Sequence, residues 1–188
     1  GLSGYEYRTS TDGGTVWSSA TSGASVNISA EGETLAQYRS LDDAGNVVPE
    51  RSLVGPLAAG VPGSVAGLCY ALRKYGTLPL AKVLAPAITL AASGSVISED
   101  TERSLAGAHD LLQKFPESAR VLTKGGQPYV EGDRLVQPDL ARTLRAIAAR
   151  GPDAFYRGSI ADLIEAEMVK TGGLIRKTDL AAYAPVER

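Results

Sequence analysis

The chain has 188 residues, a formal net charge of −2, a hydrophobic fraction of 44% and a charged fraction of 21%. These are the proportions of a globular protein with room for one ordinary domain or two small ones, and they exclude a disordered tail. The charges are scattered without a basic stripe, and no apolar run approaches the roughly 18–20 residues of a membrane helix, so neither nucleic acid nor a membrane span is expected.

Residues 1–40 have a β composition: Leu2 and Leu35 are their only leucines, lysine is missing, and Ser, Thr and Gly abound. Asp12-Gly13-Gly14 reads as a tight turn between Tyr5-Glu6-Tyr7-Arg8 and Val16-Trp17, since Asp-Gly supplies positive φ at little cost. Ala24, Val26 and Ile28 alternate with Ser25, Asn27 and Ser29 as in a half-buried strand, and Thr34 to Arg39 follows as another after the Glu31-Gly32 turn. Tyr5, Tyr7, Trp17 and Tyr38 read as a core cluster, with a binding face as the alternative. Up to Glu50 there are seven acidic and two basic residues, or −5, which leaves +3 for the remainder. A seam is therefore placed near Ser40 to Val48.

The rest reads as helical. Pro62 suits the first turn of a helix that carries Val65, Leu68, Cys69 and Leu72 on one face, with Arg73 and Lys74 near its negative end and Gly76 as its stop. Leu78-Pro79-Leu80 opens a second helix, with Val83, Leu84, Ala87, Ile88 and Ala91 inward and Gly94 closing it. Ser98-Glu99-Asp100 caps a third that is expected to run to Phe115, with Leu105, Ala108, Leu111 and Leu112 inward. Val121 to Val136 reads as irregular or hairpin-like around Gly125-Gly126. Gln137-Pro138-Asp139 starts a helix that ends at Gly151, and Pro152-Asp153 opens a short turn through Tyr156. Gly158-Ser159 begins a helix with Ile160, Leu163, Ile164 and Met168 as its stripe and Gly172-Gly173 as its end. Lys177-Thr178-Asp179 caps a last short helix before Pro185.

Few residues invite a chemical role. Cys69 is the only cysteine, which excludes an internal disulfide, and its apolar helical face predicts a buried, inert thiol. His109 is the only histidine, and neither zinc spacing nor an HExxH arrangement surrounds it, so no metal is expected. Gly125-Gly126 and Gly172-Gly173 lack the strand and helix context of a phosphate cradle and read as turns and helix ends. Asp42-Asp43 and Glu99-Asp100 are adjacent pairs whose side chains diverge, so turn and cap roles are expected. No catalytic, cofactor-binding or metal-ligating residue is assigned, and no cofactor is expected.

Leu53 to Gly94, with its Val61-Pro62-Gly63 start and Lys74-Tyr75-Gly76-Thr77-Leu78-Pro79 break, resembles the large subunit of gamma-glutamyltransferases. The likeness resumes in Gly132-Asp133-Arg134-Leu135-Val136-Gln137-Pro138-Asp139-Leu140, in residues 151–161, and in Gly172-Gly173-Leu174-Ile175 through Tyr183, so it covers about residues 41–188. The resemblance implies the mostly helical lobe of an αββα N-terminal-nucleophile hydrolase of glutathione breakdown, periplasmic or extracellular. No signal peptide is read in residues 1–20. In that family the γ-glutamyl group passes to water or amino acids through a threonine at the head of a separate small subunit, the implied partner, with its own α-amine as base. No Thr-Thr-His processing site is present, and the family's Arg-Glu-x-x-Pro stretch, whose arginine grips the substrate carboxylate, has no counterpart upstream of residue 41. Arg51 stands in another context and does not inherit that role. The chain alone is expected to be inactive, with γ-glutamyl peptides bound only by the complete enzyme.

Residues 1–48 resemble part of a bacterial immunoglobulin-like repeat through Asp12-Gly13-Gly14, Trp17, Tyr38-Arg39 and Asp43-Ala44-Gly45-Asn46. A sandwich needs about seven strands, and four or five are legible. The expected organisation is a short partial β-sandwich-like module over 1–46 and a mostly α-helical large-subunit fragment over 47–188, joined as a chimera. The competing reading is a non-catalytic extracellular binding or adhesion module on a helical platform, and a third is a chain without a selected function.

Overall fold

The computed structural model describes residues 2–10, 21–22, 35–42, 51 and 53–187. These fall into two compact units, one of residues 1–61 with 164–176 and one of residues 62–163 with 177–188.

The first unit contains an antiparallel three-stranded sheet in the order β2-β1-β3, formed by β1 (Leu2–Ser10), β2 (Thr21–Ser22) and β3 (Leu35–Asp42). β1 is central: Glu6 and Tyr7 face Ser22 and Thr21, while Tyr5 to Ser10 face Ser40 to Leu35, with an irregularity between Leu2 and Gly4. The strands expected at Tyr5–Arg8 and Thr34–Arg39 are thus present and longer. The Asp12-Gly13-Gly14 turn, Trp17 and the 24–29 strand lie outside the described residues. In the same unit Gly173 is buried, and a Cβ on it would overlap Met168 and lie 3.1 Å from Pro56 Cβ. Its N–H donates to Met168 O at 2.7 Å.

The second unit is helical. α1 (Ser64–Tyr75) and α2 (Leu80–Ser93) are separated by the Gly76–Pro79 break. Then come β4 (Ser95–Val96), α3 (Glu99–Gly107), α4 (His109–Gln113), α5 (Pro116–Leu122), β5 (Arg134–Leu135), α6 (Pro138–Arg150), α7 (Asp153–Tyr156) and α9 (Lys177–Ala182). α8 (Ser159–Thr171) begins in this unit and ends in the other. The dominant packing is α2 on α6, where the small residues Ala91 and Ala141 are buried and let the helices approach. The β4–β5 ribbon closes the end of that pair: Ser95 faces Leu135, Ile97 N–H donates to Asp133 O, and Gln137 N–H donates to Ala91 O at 2.9 Å. Gly94 turns into this ribbon at φ +85°, where an added Cβ would stand 2.6 Å from Arg134 Cγ.

The helix expected from Ser98 to Phe115 is broken once inside that range. Ser98 caps it as expected, accepting from Thr101 N–H, but Gly107 ends α3 and Ala108 resets the path into α4. The stop near Phe115 is as expected: Pro116 forces Phe115 into extended geometry (φ −123°, ψ 101°) and then serves as the first residue of α5. Several expected inner residues are exposed instead: Leu68 in α1, Val83 and Ala87 in α2, Leu111 in α4 and Leu163 in α8. Gly125 and Gly126 form the expected turn: both have positive φ, and Lys124 and Gln127 exchange backbone hydrogen bonds across them, the geometry of a two-residue hairpin.

The ends of the helical unit are tied by tyrosines. Tyr156 is 3% exposed; its hydroxyl donates to Pro62 O at 2.6 Å and accepts from Ala66 N–H at 3.1 Å, ninety residues away in sequence. Its ring stacks on Tyr183 with centroids 5.7 Å apart. Gly63 has to be glycine because any Cβ would overlap the Tyr183 hydroxyl. Arg157 links α7 to α9 through Asp153 Oδ1 and Ala181 O. Tyr156→Phe would leave both backbone partners unpaired, at a cost of about 1–3 kcal/mol; urea unfolding followed by far-UV circular dichroism should show a lowered midpoint, and an unchanged midpoint would contradict the role.

Candidate functional site

Two clefts lie within the helical unit among the described residues. The larger, about 390 Å³, lies between the end of α1, the Gly76–Pro79 break and Pro152, and is lined by Cys69, Leu72, Arg73, Leu78 and Leu80 among others. Its chemistry is poor. Burial raises the Cys69 thiol above its usual range and Arg73 only partly opposes this, so the sulfur is protonated at neutral pH. Arg73 lies 5.5 Å from the Tyr70 ring centroid, a cation–π contact. The cleft lies between the electronegative C-terminal end of α1 and the electropositive N-terminal end of α2, so the two helix dipoles oppose one another there.

The smaller cleft, about 210 Å³, is lined by Arg120, Tyr129, Gln137 and Asp139 with apolar neighbours. Its charges are already spent on one another. Arg120 reaches Glu117 at 2.8 Å and Asp139 at 3.2 Å, and Arg142 also binds Asp139. The Arg120 hydrogen bond, with the charge of Arg142, holds the Asp139 carboxyl below its usual range, so it is an ionised partner rather than a proton carrier.

The remaining residues considered from sequence are dispersed. His109 begins α4, and its Nδ1 is buried without a hydrogen-bond partner. Among the described residues no group of three or more His, Cys, Asp or Glu side chains is placed to hold a metal. Gly125-Gly126 is pinned by Gln113 Nε2 donating to Gly126 O at 3.0 Å, which makes it a braced turn. Glu99 and Asp100 both pair with Arg103 on the surface of α3. Asp42 is in β3, Asp43 and Glu50 lie outside the described residues, and Arg51 is exposed in a turn. Sequence reasoning missed the Tyr156–Tyr183 knot, whose signal was a tyrosine in each of two short helical segments flanked by Pro or Gly. It also missed the Glu187 carboxylate, which accepts from Lys74 and from the Tyr75 hydroxyl and is held below its usual range by the Lys74 hydrogen bond first and that of Tyr75 next. Among the described residues no helix is long and apolar enough to cross a membrane.

The gamma-glutamyltranspeptidase family model matches residues 15–188, and the chain belongs to that family. It is 48% identical over 149 residues to the glutathione hydrolase proenzyme of Escherichia coli K12, an alignment covering 79% of this chain and 26% of that protein. It is 44% identical over 133 residues to the acylase ACY 1 proenzyme of Pseudomonas sp. SE83, covering 71% of this chain and 24% of that one. The crystal structure of Helicobacter pylori gamma-glutamyltranspeptidase superposes with a TM-score of 0.73 at 48% identity, over 76% of this chain and 41% of that chain. The chain thus spans about a quarter of the length of the curated relatives it matches.

The raised thiol makes a direct prediction. Alkylation of Cys69 by iodoacetamide should be slower at pH 7.5 than that of a free cysteine peptide, and its rate should still climb above pH of about 8.5, where the peptide's levels off. A rate at or above the peptide's would contradict the half-buried, protonated state.

Proposed function

We propose that the chain is a large-subunit segment of a gamma-glutamyltransferase, or glutathione hydrolase, and that it supplies scaffold rather than reacting groups. The match with the E. coli proenzyme over most of the chain carries this reading. In the complete enzyme a small-subunit threonine attacks the γ-glutamyl carbonyl, its α-amine takes the hydroxyl proton, and the amine leaving group departs protonated. Water or an amino acid then breaks the resulting ester. Three of the described threonines have their hydroxyls committed elsewhere. Thr123 is buried and its Oγ1 donates to Ala119 O, while Thr89 and Thr171 donate to Ala85 O and Glu167 O within their own helices. All three nitrogens are in peptide bonds, so none is the free amine the reaction needs. The enzyme is proposed to work in the periplasm or outside the cell. These 188 residues alone should release no γ-linked glutamate from γ-glutamyl-p-nitroanilide, whereas turnover that copurifies with the chain through two columns would overturn the scaffold reading.

The organisation into a partial immunoglobulin-like β module over 1–46 and a helical fragment over 47–188 is part of the proposal. It is supported by the position of the three-stranded sheet before residue 47 and of every described helix after residue 63. The family model reaches back to residue 15. We favour a boundary near residue 47, because residues 1–40 are β in composition and carry that sheet. Limited proteolysis should then cut within residues 1–46 first and leave a fragment beginning near residue 47; first cuts inside 62–163 would count against this boundary.

A further inference from the structure

The residues that follow α9 run along α1 and touch both of its ends. Leu180 anchors α9 with its side chain fully buried, and the Tyr183 ring lies against Gly63 at the start of α1. Further on, the Glu187 carboxylate accepts from Lys74 and, at 3.0 Å, from the Tyr75 hydroxyl, both in the last turn of the same helix. From Gly63 to Lys74 is about 17 Å of helix, whereas Tyr183 to Glu187 supplies at most about 14 Å of chain. Side-chain reach closes the difference, so the segment is nearly taut, and Pro185 stiffens it. Its middle grips little, since Ala184 and Val186 are exposed. The far end is therefore held by polar contacts. The Lys74 ammonium that makes them lies 5.2 Å from the Tyr75 ring centroid and 5.8 Å from that of Tyr70.

We propose that residues 183–187 are an acid-sensitive strap, hinged at Tyr183 and latched at Glu187, that holds the last turn of α1 at neutral pH and releases it when Glu187 is protonated. The titratable groups that face Glu187 are Lys74, Tyr75 and Tyr70, all from α1. The Lys74 hydrogen bond first, then those of Tyr75 and Tyr70, hold its carboxyl below the usual range, and Glu187 in turn holds Lys74 above its own. The latch is thus fully closed above the ordinary carboxyl value of about 4.3 and opens as pH falls through the lowered value; at the other extreme it is lost only above about 10.4, as Lys74 loses its proton. Both latch side chains are about half exposed, and an exposed ion pair changes local opening by a factor of about five or less. That is weak enough to release the strap while Leu180 stays buried. All of these residues belong to the helical unit, so the inference goes beyond the large-subunit reading and can fail without it.

The test is hydrogen exchange of the full 188-residue chain at pH 7, read by mass spectrometry. Amides of residues 72–76 should exchange about two- to fivefold faster in Glu187→Gln and in Lys74→Gln than in the unaltered chain. The double variant should be no faster than either single one, because the two side chains share one contact. Exchange in α6 controls for a general loss of stability. Carbon-13 NMR titration supplies a measurement that does not depend on the variants' folding: the Glu187 carboxyl of the unaltered chain should titrate below about 4.3, and Lys74→Gln should return it to that value. Unchanged exchange of residues 72–76 in a folded Glu187→Gln, additive effects in the double variant, or an ordinary Glu187 midpoint in the unaltered chain would each overturn the strap.

Discussion

The buried hydroxyl of Tyr156 is the contact on which the helical unit turns. It accepts from Ala66 N–H, a donor in the first turn of α1 that has no intrahelical partner, and it donates to Pro62 O just outside that turn. A side-chain cap normally comes from a neighbouring residue such as Ser or Asp; α1 begins at Gly63 without one. The cap is supplied from α7 instead, so the local stability of α1 depends on the chain having already closed a long loop. Burial raises the Tyr156 phenol above its usual range, with the Ala66 N–H opposing, and this keeps the proton available for donation to Pro62 O. Gly63 and Tyr183 follow from the same geometry, because the stacked ring occupies the space where a Cβ would stand.

Half of the buried apolar residues of this unit are alanines, Ala66, Ala91, Ala141, Ala154 and Ala161, beside Ile97, Leu135, Ile147, Tyr156 and Leu180, while Leu68, Leu78, Leu90 and Leu163 are at least half exposed. Alanine lets helices approach closely, as α2 and α6 do, but each buried alanine contributes little apolar area, and a leucine buries far more. The unit thus turns several of its large side chains outward. Such a distribution is unfavourable for an isolated globule and sensible for a layer that is itself covered. Its surface ion pairs do little to compensate, since exposed pairs such as Arg103 with Glu99 and Asp100 each contribute less than about 1 kcal/mol.

Helix starts, stops and turns were largely legible because they rest on single residues with strong backbone preferences. Gly76, Gly94, Gly151 and Gly172 end helices where expected, and Gly125-Gly126 makes the hairpin. The third helix was read as unbroken because its apolar spacing continues through Gly107, and periodicity alone does not register the break there. Inner faces were read less well than helix limits. Periodicity marks Leu68, Val83, Leu111 and Leu163 as inner positions, yet it does not say whether the surface they need is within the chain. The long-range contacts of Tyr156 and Glu187 were invisible for a similar reason: each joins positions about ninety residues apart or more, and no local pattern encodes such a pairing.

The relatives bear on what this segment determines. Proteins named as glutathione hydrolases and as acylases match it at similar identity over much of its length. A segment that contained the substrate-reading groups would be expected to diverge between proteins with different names for their activity, because specificity lies in the few side chains that touch the substrate. The residues with structural reasons here, Gly63, Gly94, Tyr156 and Tyr183, are set by backbone approach and buried hydrogen bonding. Those constraints concern how the helices fit together and are indifferent to which acyl group is cleaved. The same logic fits the smaller cleft, where Arg120 and Asp139 are paired with neighbours, and the larger, where the Cys69 thiol is held protonated.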